Sequence, residues 1–191
     1  GRTTIGMYRL GYKNIFGIDL TPVMIEEARK NTAREGAEIE FQVDDACNLS
    51  LKDQSFDCAL FSFNGIMQIP RNENRLRAFK EICRVLKKGG VFIFTTHDRN
   101  DKEWKWFWDE EAERWAKGKQ DKRLHEFGDR VIEDNSRLIY LHFPDRKEIL
   151  DYIEESGFEL IEEACLFELL DESEQVKNRA SRCKFWVVRK K

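Results

Sequence analysis

Acidic residues lie at the ends of two short apolar segments near the start of the chain. Asp19 ends the segment Ile15–Leu20, and Asp45 and Ala46 follow the segment Ile39–Val43. If both segments are parallel strands of one sheet, their carboxyl ends form the edge at which ligands bind in such sheets. The first carboxylate can then accept hydrogen bonds from both ribose hydroxyls, and the second can accept one from an adenine amino group. The two acids therefore predict a nucleoside ligand.

Each carboxylate also has a plainer interpretation. Because Asp is common at turns and helix starts, Asp19 could cap the helix that follows or remain a solvated turn residue. Asp44 directly precedes Asp45 and could equally be the functional acid. Both alternatives stay open at the level of the sequence.

Helix signals separate the apolar segments that contain these acids. Thr21-Pro22 predicts the first turn of a helix, and Gly36 predicts its end in a left-handed conformation. Asn72 predicts the cap of another helix, which ends before Gly89-Gly90. The apolar segment Phe56–Phe63 is typical of a central parallel strand covered on both faces. This alternation predicts an α/β fold with a parallel sheet between helical layers.

The alternation stops after the predicted strand Val91–Thr96. A charged segment with most of the tryptophans follows, and Arg130–Phe143 is predicted to form two short strands around Asp134-Asn135-Ser136. We interpret this part of the chain, residues 98–143, as an α+β cap inserted into a single domain that spans residues 1–191. The flanking ranges, 1–97 and 144–191, form the cofactor-binding core and its C-terminal part.

The C-terminal part of the core has clear local signals. Asp145 and Glu148 have the spacing of a capping box, and Gly157 is placed to end the helix that they begin. The apolar segments Phe158–Ala164 and Lys184–Arg189 predict a final antiparallel pair of strands.

Composition excludes some classes of function. The 191 residues include 33 Lys and Arg against 36 Asp and Glu, a net charge of −3. A dedicated nucleic-acid binder normally carries a strong basic excess, and no apolar run approaches the ~20 residues that cross a bilayer. The cysteines lack zinc-ligand spacing, so we expect reduced thiols, no metal site and a cytoplasmic protein.

Four segments, taken together, resemble class I methyltransferases that use S-adenosylmethionine. Gly1–Arg29 resembles the end of their glycine-rich loop, their first helix and their acidic second strand, and Phe41–Phe63 resembles the third strand, adenine loop and fourth strand. Glu81–Phe94 is similar to the helix, GG turn and fifth strand, and His142–Glu162 is similar to the last helix and sixth strand. The family's first strand and most of its glycine loop have no counterpart here, and Lys88 stands where a proline often precedes the GG pair. The resemblance implies a three-layer, Rossmann-like sheet that is mostly parallel with an antiparallel last strand.

The resemblance also implies positions that bind the cofactor. Asp19 would hold the ribose, and Asp45 with the backbone at Ala46 would bind the edge of the adenine. Leu20 and Met24 would flank the base. The positions that would approach the methionine part of the cofactor are Gly1, Arg2, Phe61 and Ser62.

Methyl transfer from S-adenosylmethionine demands little of the protein's own chemistry. The methyl group is already activated by a positive sulfur, so positioning and water exclusion carry the catalysis. A general base is required only where the acceptor must lose a proton. The candidates are His97, after the predicted strand Val91–Thr96, and His142, at the end of the cap hairpin. Either one could instead be a structural histidine.

The cap has two features that could serve an acceptor. Trp104, Trp108 and Trp115 fall near helical spacing and could either pack the cap onto the core or, at Trp104 and Trp108, line an acceptor pocket. A basic cluster beside them could be solvated surface or could attract an anionic acceptor; it consists of Lys117, Lys119, Lys122 and Arg123.

The resemblance implies a methyltransferase that releases S-adenosylhomocysteine, and we expect a small-molecule acceptor and a monomer or homodimer. Two other functions stay open. A nucleotide-cofactor oxidoreductase also places an acid after its second strand, and a non-catalytic partner could retain the fold to recruit another protein.

Overall fold

The computed structural model describes residues 1–134, 137–169, 173, 175 and 182–191. The chain divides into two compact units, Gly1–Leu51 and Lys52–Lys191. Asn135 and Ser136, at the predicted hairpin turn, lie outside the described residues. The interpretation as one domain with an inserted cap stays a prediction.

The first unit contains two helices and a pair of parallel strands. Thr21 is the N-cap of the second helix and Pro22 is its first residue, as the sequence predicts. Gly36 has a φ of 64°, the predicted left-handed conformation. The strands run in register from Phe16 opposite Glu40 to Asp19 opposite Val43. The elements are α1 (Arg2–Arg9), β1 (Phe16–Asp19), α2 (Pro22–Arg34) and β2 (Glu40–Val43).

A small apolar core holds α2 against these strands. Ile25 and Ala28 on α2 pack with Phe41 on β2, and Ile39 joins them at the margin. Gly17 on β1 pairs with Phe41 across the ladder. A Cβ at Gly17 would lie 2.5 Å from two atoms of the Phe41 ring, so the glycine makes room for that ring.

We expect Gly17→Ala to destabilise the first unit by about 1–3 kcal/mol, because an added methyl group overpacks the site beside Phe41. Gly6→Ala is the control: Gly6 lies within α1, and its Cβ would meet nothing within 4 Å. Alanine there should stabilise the helix by up to about 1 kcal/mol. Urea unfolding, followed by circular dichroism, measures both variants. Equal stabilities for the two variants would contradict this account of Gly17.

The second unit is built on a four-stranded mixed sheet. Its order is β3-β4-β8-β7, with β3 parallel to β4 and with β8 antiparallel to both of its neighbours. The predicted α/β class and the antiparallel last strand are therefore confirmed. A separate antiparallel hairpin, β5-β6, forms where the cap was predicted. The elements are β3 (Phe56–Phe61), α3 (Asn72–Val85), β4 (Leu86–Thr96), α4 (Lys105–Ala116), β5 (Asp129–Asp134), β6 (Arg137–His142), α5 (Arg146–Glu155), β7 (Phe158–Cys165), α6 (Leu166–Leu169) and β8 (Lys184–Lys190).

Aromatic side chains form the core of this unit. Phe79 on α3 meets the rings of Phe92 and Phe94 on β4 edge-on, at centroid distances of 5.6 and 5.0 Å. Trp186 on β8 stacks on Phe94, and its indole N–H donates to Thr96 Oγ1 over 2.9 Å. The N–H donor of the buried indole is therefore satisfied, which avoids the cost of an unpaired buried donor.

Two local predictions differ from the structure. Within the second unit, β3 is an edge strand and ends at Phe61. The side chain of Leu60 is 45% exposed, so this strand is not covered on both faces within its unit. Apolar composition does not specify which neighbours a strand finds. Asn72 is the first residue of α3 and does not cap it; its Oδ1 lies 2.5 Å from the Tyr152 hydroxyl.

No helix among the described residues has both the length and the apolar character needed to span a membrane.

Candidate functional site

The two predicted acids lie at one edge of the β1-β2 pair. Asp19 is the last residue of β1 and lies opposite Val43. The Asp44 N–H donates to the Asp19 carbonyl over 3.1 Å, which ties the chain after β2 to the end of β1. Asp45 comes next in the chain and forms an antiparallel bridge with Asn48.

In each of these two acids, one carboxylate oxygen accepts a hydrogen bond from the backbone and the other does not among the described residues. Asp19 Oδ1 accepts from the Thr21 N–H over 2.9 Å, so one oxygen does cap the start of α2. Asp45 Oδ1 accepts from the Cys47 N–H over 2.8 Å. Among the described residues, no hydrogen bond reaches Oδ2 of either side chain. Each acid therefore keeps one carboxylate oxygen for a ligand.

Both carboxylate oxygens of Asp44 accept hydrogen bonds within the loop after β2. Its Oδ2 accepts from both the N–H and the hydroxyl of Ser50, over 3.0 and 3.1 Å, and its Oδ1 accepts from the Asp45 N–H. Because this carboxylate closes the loop after β2, the geometry favours Asp45 as the ligand-binding acid of the two.

Several apolar side chains that follow Asp19 or precede Asp45 in the chain are exposed. Leu20 is 67% exposed and Met24 is 50% exposed, and Val23 and Val43 are similarly open to solvent. Exposed apolar surface beside available carboxylate oxygens suits a ligand with a flat apolar body and polar edges, such as adenosine. Ala46, half-buried, follows Asp45 in the same loop.

The predicted residues at the start of the chain lie on α1 and its N-cap. Gly1 is the N-cap, and a Cβ there would lie 3.1 Å from the Ala28 Cα, which indicates close packing on α2. Arg2 lines a groove of about 290 Å³ whose other residues are Ile5, Arg9, Asn31, Arg34 and Glu35. The groove includes neither of the two acids at the sheet edge.

In the second unit, Phe61 and Ser62 lie at the end of β3, directly before a strained backbone segment. Phe63 and Asn64 have φ values of 55° and 56°, unusual for residues with side chains. The Asn64 N–H donates to Thr95 Oγ1 over 3.0 Å, which helps to hold this conformation. Strained residues that follow a strand are a common feature of functional sites.

His97 is engaged through both ring nitrogens. Its Nδ1 lies 3.1 Å from the Arg182 carbonyl, and its Nε2 lies 3.1 Å from Asn64 Nδ2. A neutral ring with its proton on Nδ1 satisfies both contacts, because Nε2 then accepts from the amide. To take a proton from an acceptor, His97 would have to release Asn64, and its role as a base stays a prediction.

His142 is buried between two carboxylates. Only 1% of its side chain is exposed; Nδ1 lies 2.8 Å from Asp129 Oδ1, and Nε2 lies 2.7 Å from Glu148 Oε1. Both nitrogens must carry protons to donate in this arrangement, so the ring is an imidazolium. Its role as a general base also stays a prediction, and in this state the ring has no lone pair to accept a proton.

A wider network surrounds this imidazolium. Arg75 on α3, 2% exposed at its side chain, donates to Glu126, Glu148 and the Tyr152 hydroxyl. Asp129 also accepts from the Tyr140 hydroxyl and from the N–H groups of His125 and Glu126; Arg99 pairs with Glu148 and Asp145. The network joins α3, α5 and the hairpin. Its only local signal in the sequence is the Asp145–Glu148 spacing. Asp145 does cap α5 by accepting from the Glu148 N–H, whereas the Glu148 carboxylate contacts His142, Arg75 and Arg99.

The network sets the pKa values of its members. Burial alone would lower the pKa of His142, but its hydrogen bonds to Asp129 and Glu148 raise it above the ordinary value. Burial alone would raise the pKa of each carboxyl group, yet hydrogen bonds from His142 and neighbouring donors lower the pKa of Asp129 and of Glu148 to about 2. The pKa shifts of all three groups therefore favour their charged forms.

We expect the stability of the second unit to fall as the pH rises above neutrality. A histidine with a raised pKa contributes its full stabilisation below its unfolded pKa of about 6.5 and loses it as the pH passes the folded pKa. The carboxyl groups behave in the opposite way, losing their contribution as the pH falls toward about 2. Urea unfolding across a pH series measures this profile. Stability that stays constant or increases from neutral to alkaline pH would contradict it.

Glu126, Asp129 and His142 also form a possible metal-ligand group, with one ligand atom from each within 4.8 Å of the others. The nitrogens of His142 face carboxylates, so the ring as placed offers no lone pair to an ion. The expectation of no metal site stays a prediction.

The two tryptophans proposed for the acceptor differ in environment. Trp108 is 5% exposed and contacts the rings of Phe107, Phe127 and Phe143, so it packs α4 within the cap. Trp104 is the N-cap of α4, and the Arg130 guanidinium lies 5.5 Å from its ring centroid. Only Trp104 thus retains a surface suited to a ligand.

Comparison with known proteins identifies the fold. Residues 1–90 match the model of a methyltransferase domain. An uncharacterised protein of Methanocaldococcus jannaschii is 29% identical over 78% of this chain and 55% of its own length. The carboxy-S-adenosyl-L-methionine synthase of Campylobacter curvus is 35% identical over 41% of this chain and 32% of its own length.

The structure of an S-adenosylmethionine-dependent methyltransferase from Methanosarcina mazei superposes with a TM-score of 0.75 and 22% identity, covering 97% of this chain and 85% of that one. The chain spans about half or less of the curated relatives that it matches here.

Proposed function

We propose that this chain, whose residues 1–90 match the model of a methyltransferase domain, transfers a methyl group from S-adenosylmethionine to a small-molecule acceptor. The observation that carries this proposal is the edge of the β1-β2 pair. There, Asp19 and Asp45 each keep one carboxylate oxygen without a hydrogen bond among the described residues, beside exposed apolar side chains.

The residues at this edge fit an adenosine. Asp19 would hold the ribose hydroxyls, and Asp45 with the backbone at Ala46 would bind the adenine edge. Leu20 and Met24 would cover the faces of the base with the apolar surface that they expose. The resemblance implies that Gly1, Arg2, Phe61 and Ser62 would approach the methionine part of the cofactor, and these positions stay predictions.

The chain's own contribution is to bind, orient and exclude water. When bound, S-adenosylmethionine supplies a methyl group on a positively charged sulfur, so the protein need not supply a nucleophile. Orientation alone can lower a barrier by roughly 7–11 kcal/mol in favourable cases. The strained segment at Phe63 and Asn64, fixed by Thr95, is suited to such positioning.

The small-molecule acceptor is supported by charge. The net charge is −3, whereas nucleic-acid substrates are normally met by a basic surface. Two cations of the basic cluster in the cap are already paired, Lys117 with Glu113 and Arg123 with Asp121 and Glu133. We also propose a cytoplasmic location, because cysteines without disulfide or zinc spacing suit a reducing compartment.

Isothermal titration of the protein with S-adenosylmethionine and S-adenosylhomocysteine tests the proposal. We expect both ligands to bind at one site and to compete. Preferred binding of a nicotinamide dinucleotide would instead support an oxidoreductase. Absence of binding to any of these ligands would support a non-catalytic partner. If the cofactor binds, incubation of the protein with a metabolite pool and isotopically labelled cofactor identifies the acceptor.

A further inference from the structure

Arg130 on β5 is held between aromatic rings of the cap. Its guanidinium carbon lies 4.4 Å from the ring centroid of Phe107 and 5.5 Å from that of Trp104, both at the start of α4. The side chain is partly buried. Such stacking covers a face of the planar guanidinium and leaves its in-plane N–H groups to hydrogen-bond with a ligand.

Among the side chains that the structure describes, no hydrogen bond or ion pair joins the Arg130 guanidinium to another residue. The other partly or fully buried arginines of this unit are paired: Arg75 with Glu126 and Glu148, and Arg99 with Asp145 and Glu148. Arg84 is likewise paired with Asp53 and Glu81. Arg130 therefore differs from them in having no anionic partner among the described side chains.

Glu111, the carboxylate whose charge acts on Arg130, forms its ion pair elsewhere. Glu111 on α4, 8% exposed, forms its ion pair with Arg114 over 3.0 Å. Burial lowers the pKa of Arg130, and the charge of Glu111 only partly opposes this effect. A cation that is partly desolvated and unpaired is a favourable partner for an incoming anion.

The position of Arg130 connects it to the end of the sheet. Phe107 beneath it contacts Trp108 at a centroid distance of 5.0 Å, and Trp108 contacts Phe143 at 5.4 Å. Phe143 stacks on His97, which follows β4, at 5.6 Å. Continuous aromatic packing thus runs from Arg130 to the carboxyl end of β4, the side of such sheets at which ligands bind.

We propose that Arg130 and Trp104 form an anion-binding subsite for the methyl acceptor, and that this acceptor carries a carboxylate. This inference rests on the proposed function. A carboxylate matches the in-plane fork of a guanidinium with two parallel hydrogen bonds. It also brings a single negative charge, which one arginine can balance. A doubly charged phosphate would need a second cation, and Arg114 is already paired with Glu111.

Nuclear magnetic resonance of the full-length protein, labelled with ¹⁵N at the arginine Nε, tests the subsite. The probes are benzoate, its neutral analogue benzamide, and inorganic phosphate. We expect benzoate to shift the Arg130 Nε–H resonance, and we expect benzamide to leave it unchanged. Arg130→Gln should weaken benzoate binding at least about tenfold, the loss expected for a charge-assisted pair. Arg123→Gln is the matched control, since it removes the same charge from an exposed cap residue that is already paired.

Several results would overturn the proposal. They are no shift with benzoate, equal effects of benzoate and benzamide, or unchanged benzoate affinity in Arg130→Gln. Tighter binding of phosphate than of benzoate at Arg130 would overturn the choice of a carboxylate. Arg130→Lys keeps the charge and the aliphatic stem, so it provides a second variant if Arg130→Gln does not fold. It should bind benzoate more weakly than the native protein, and equal binding would exclude the forked contact.

A parallel titration with S-adenosylmethionine separates the two proposals. If benzoate binds through Arg130 while the cofactor does not bind, the anion subsite stands and the proposed function fails. If the cofactor binds while benzoate does not, the proposed function stands and the subsite fails.

Discussion

His142→Ala should lower the free energy of unfolding of the second unit by about 3–5 kcal/mol, which is the usual cost of removing one partner of a buried ion pair. The substitution removes the imidazolium between Asp129, whose side chain is fully buried, and Glu148. The two carboxylates then face each other with less positive charge nearby. Urea unfolding, followed by the fluorescence of buried Trp186, measures the loss.

Two other variants make this expectation specific. His125 is the control, because its side chain is exposed and only its backbone N–H donates to Asp129. His125→Ala should therefore change the stability by no more than about 0.5 kcal/mol. His142→Gln keeps a hydrogen-bond donor but no charge, and it should remove the decline in stability between neutral and alkaline pH. Loss of stability in His142→Ala no larger than in His125→Ala would show that the cluster does not stabilise the fold.

Asp19→Ala should weaken the binding of S-adenosylmethionine by about 10- to 100-fold, since a charge-assisted hydrogen bond contributes roughly 1.5–3 kcal/mol. Isothermal titration measures the affinity. The substitution also removes the acceptor for the Thr21 N–H at the start of α2. Asp19→Asn separates the two effects, because an amide oxygen can still accept that bond while the charge is lost. It should keep the thermal stability of the native protein and still bind the cofactor more weakly.

The adjacent acids provide a second comparison. Asp45→Asn should weaken cofactor binding with little effect on stability. Asp44→Asn should instead destabilise the loop that its carboxylate holds through Ser50. Native cofactor affinity in Asp19→Asn would show that the ribose is bound elsewhere. A stronger loss of affinity in Asp44→Asn than in Asp45→Asn would show that Asp44, and not Asp45, is the acid that binds the cofactor.

The sequence alone was sufficient for features that depend on near neighbours. The start of α2 at Thr21-Pro22, the N-cap of α5 at Asp145 and the left-handed Gly36 follow from side chains within a few residues of one another. The α/β class followed from the alternation of strand and helix patterns. Such signals are strong because caps and turns act within one segment of the chain.

The tertiary structure decided what depends on residues far apart in the sequence. Arg75 meets Tyr152 across 77 positions, and no local pattern indicates that an arginine on an apolar helix face will balance a buried Glu148. The choice between Asp44 and Asp45 required the position of Ser50. The environment of Arg130, stacked on Phe107 and without an anionic partner among the described side chains, required the packing of α4 against the hairpin. Periodicity specifies which face of an element is buried, whereas the partners of a buried charge are set by how separate elements pack.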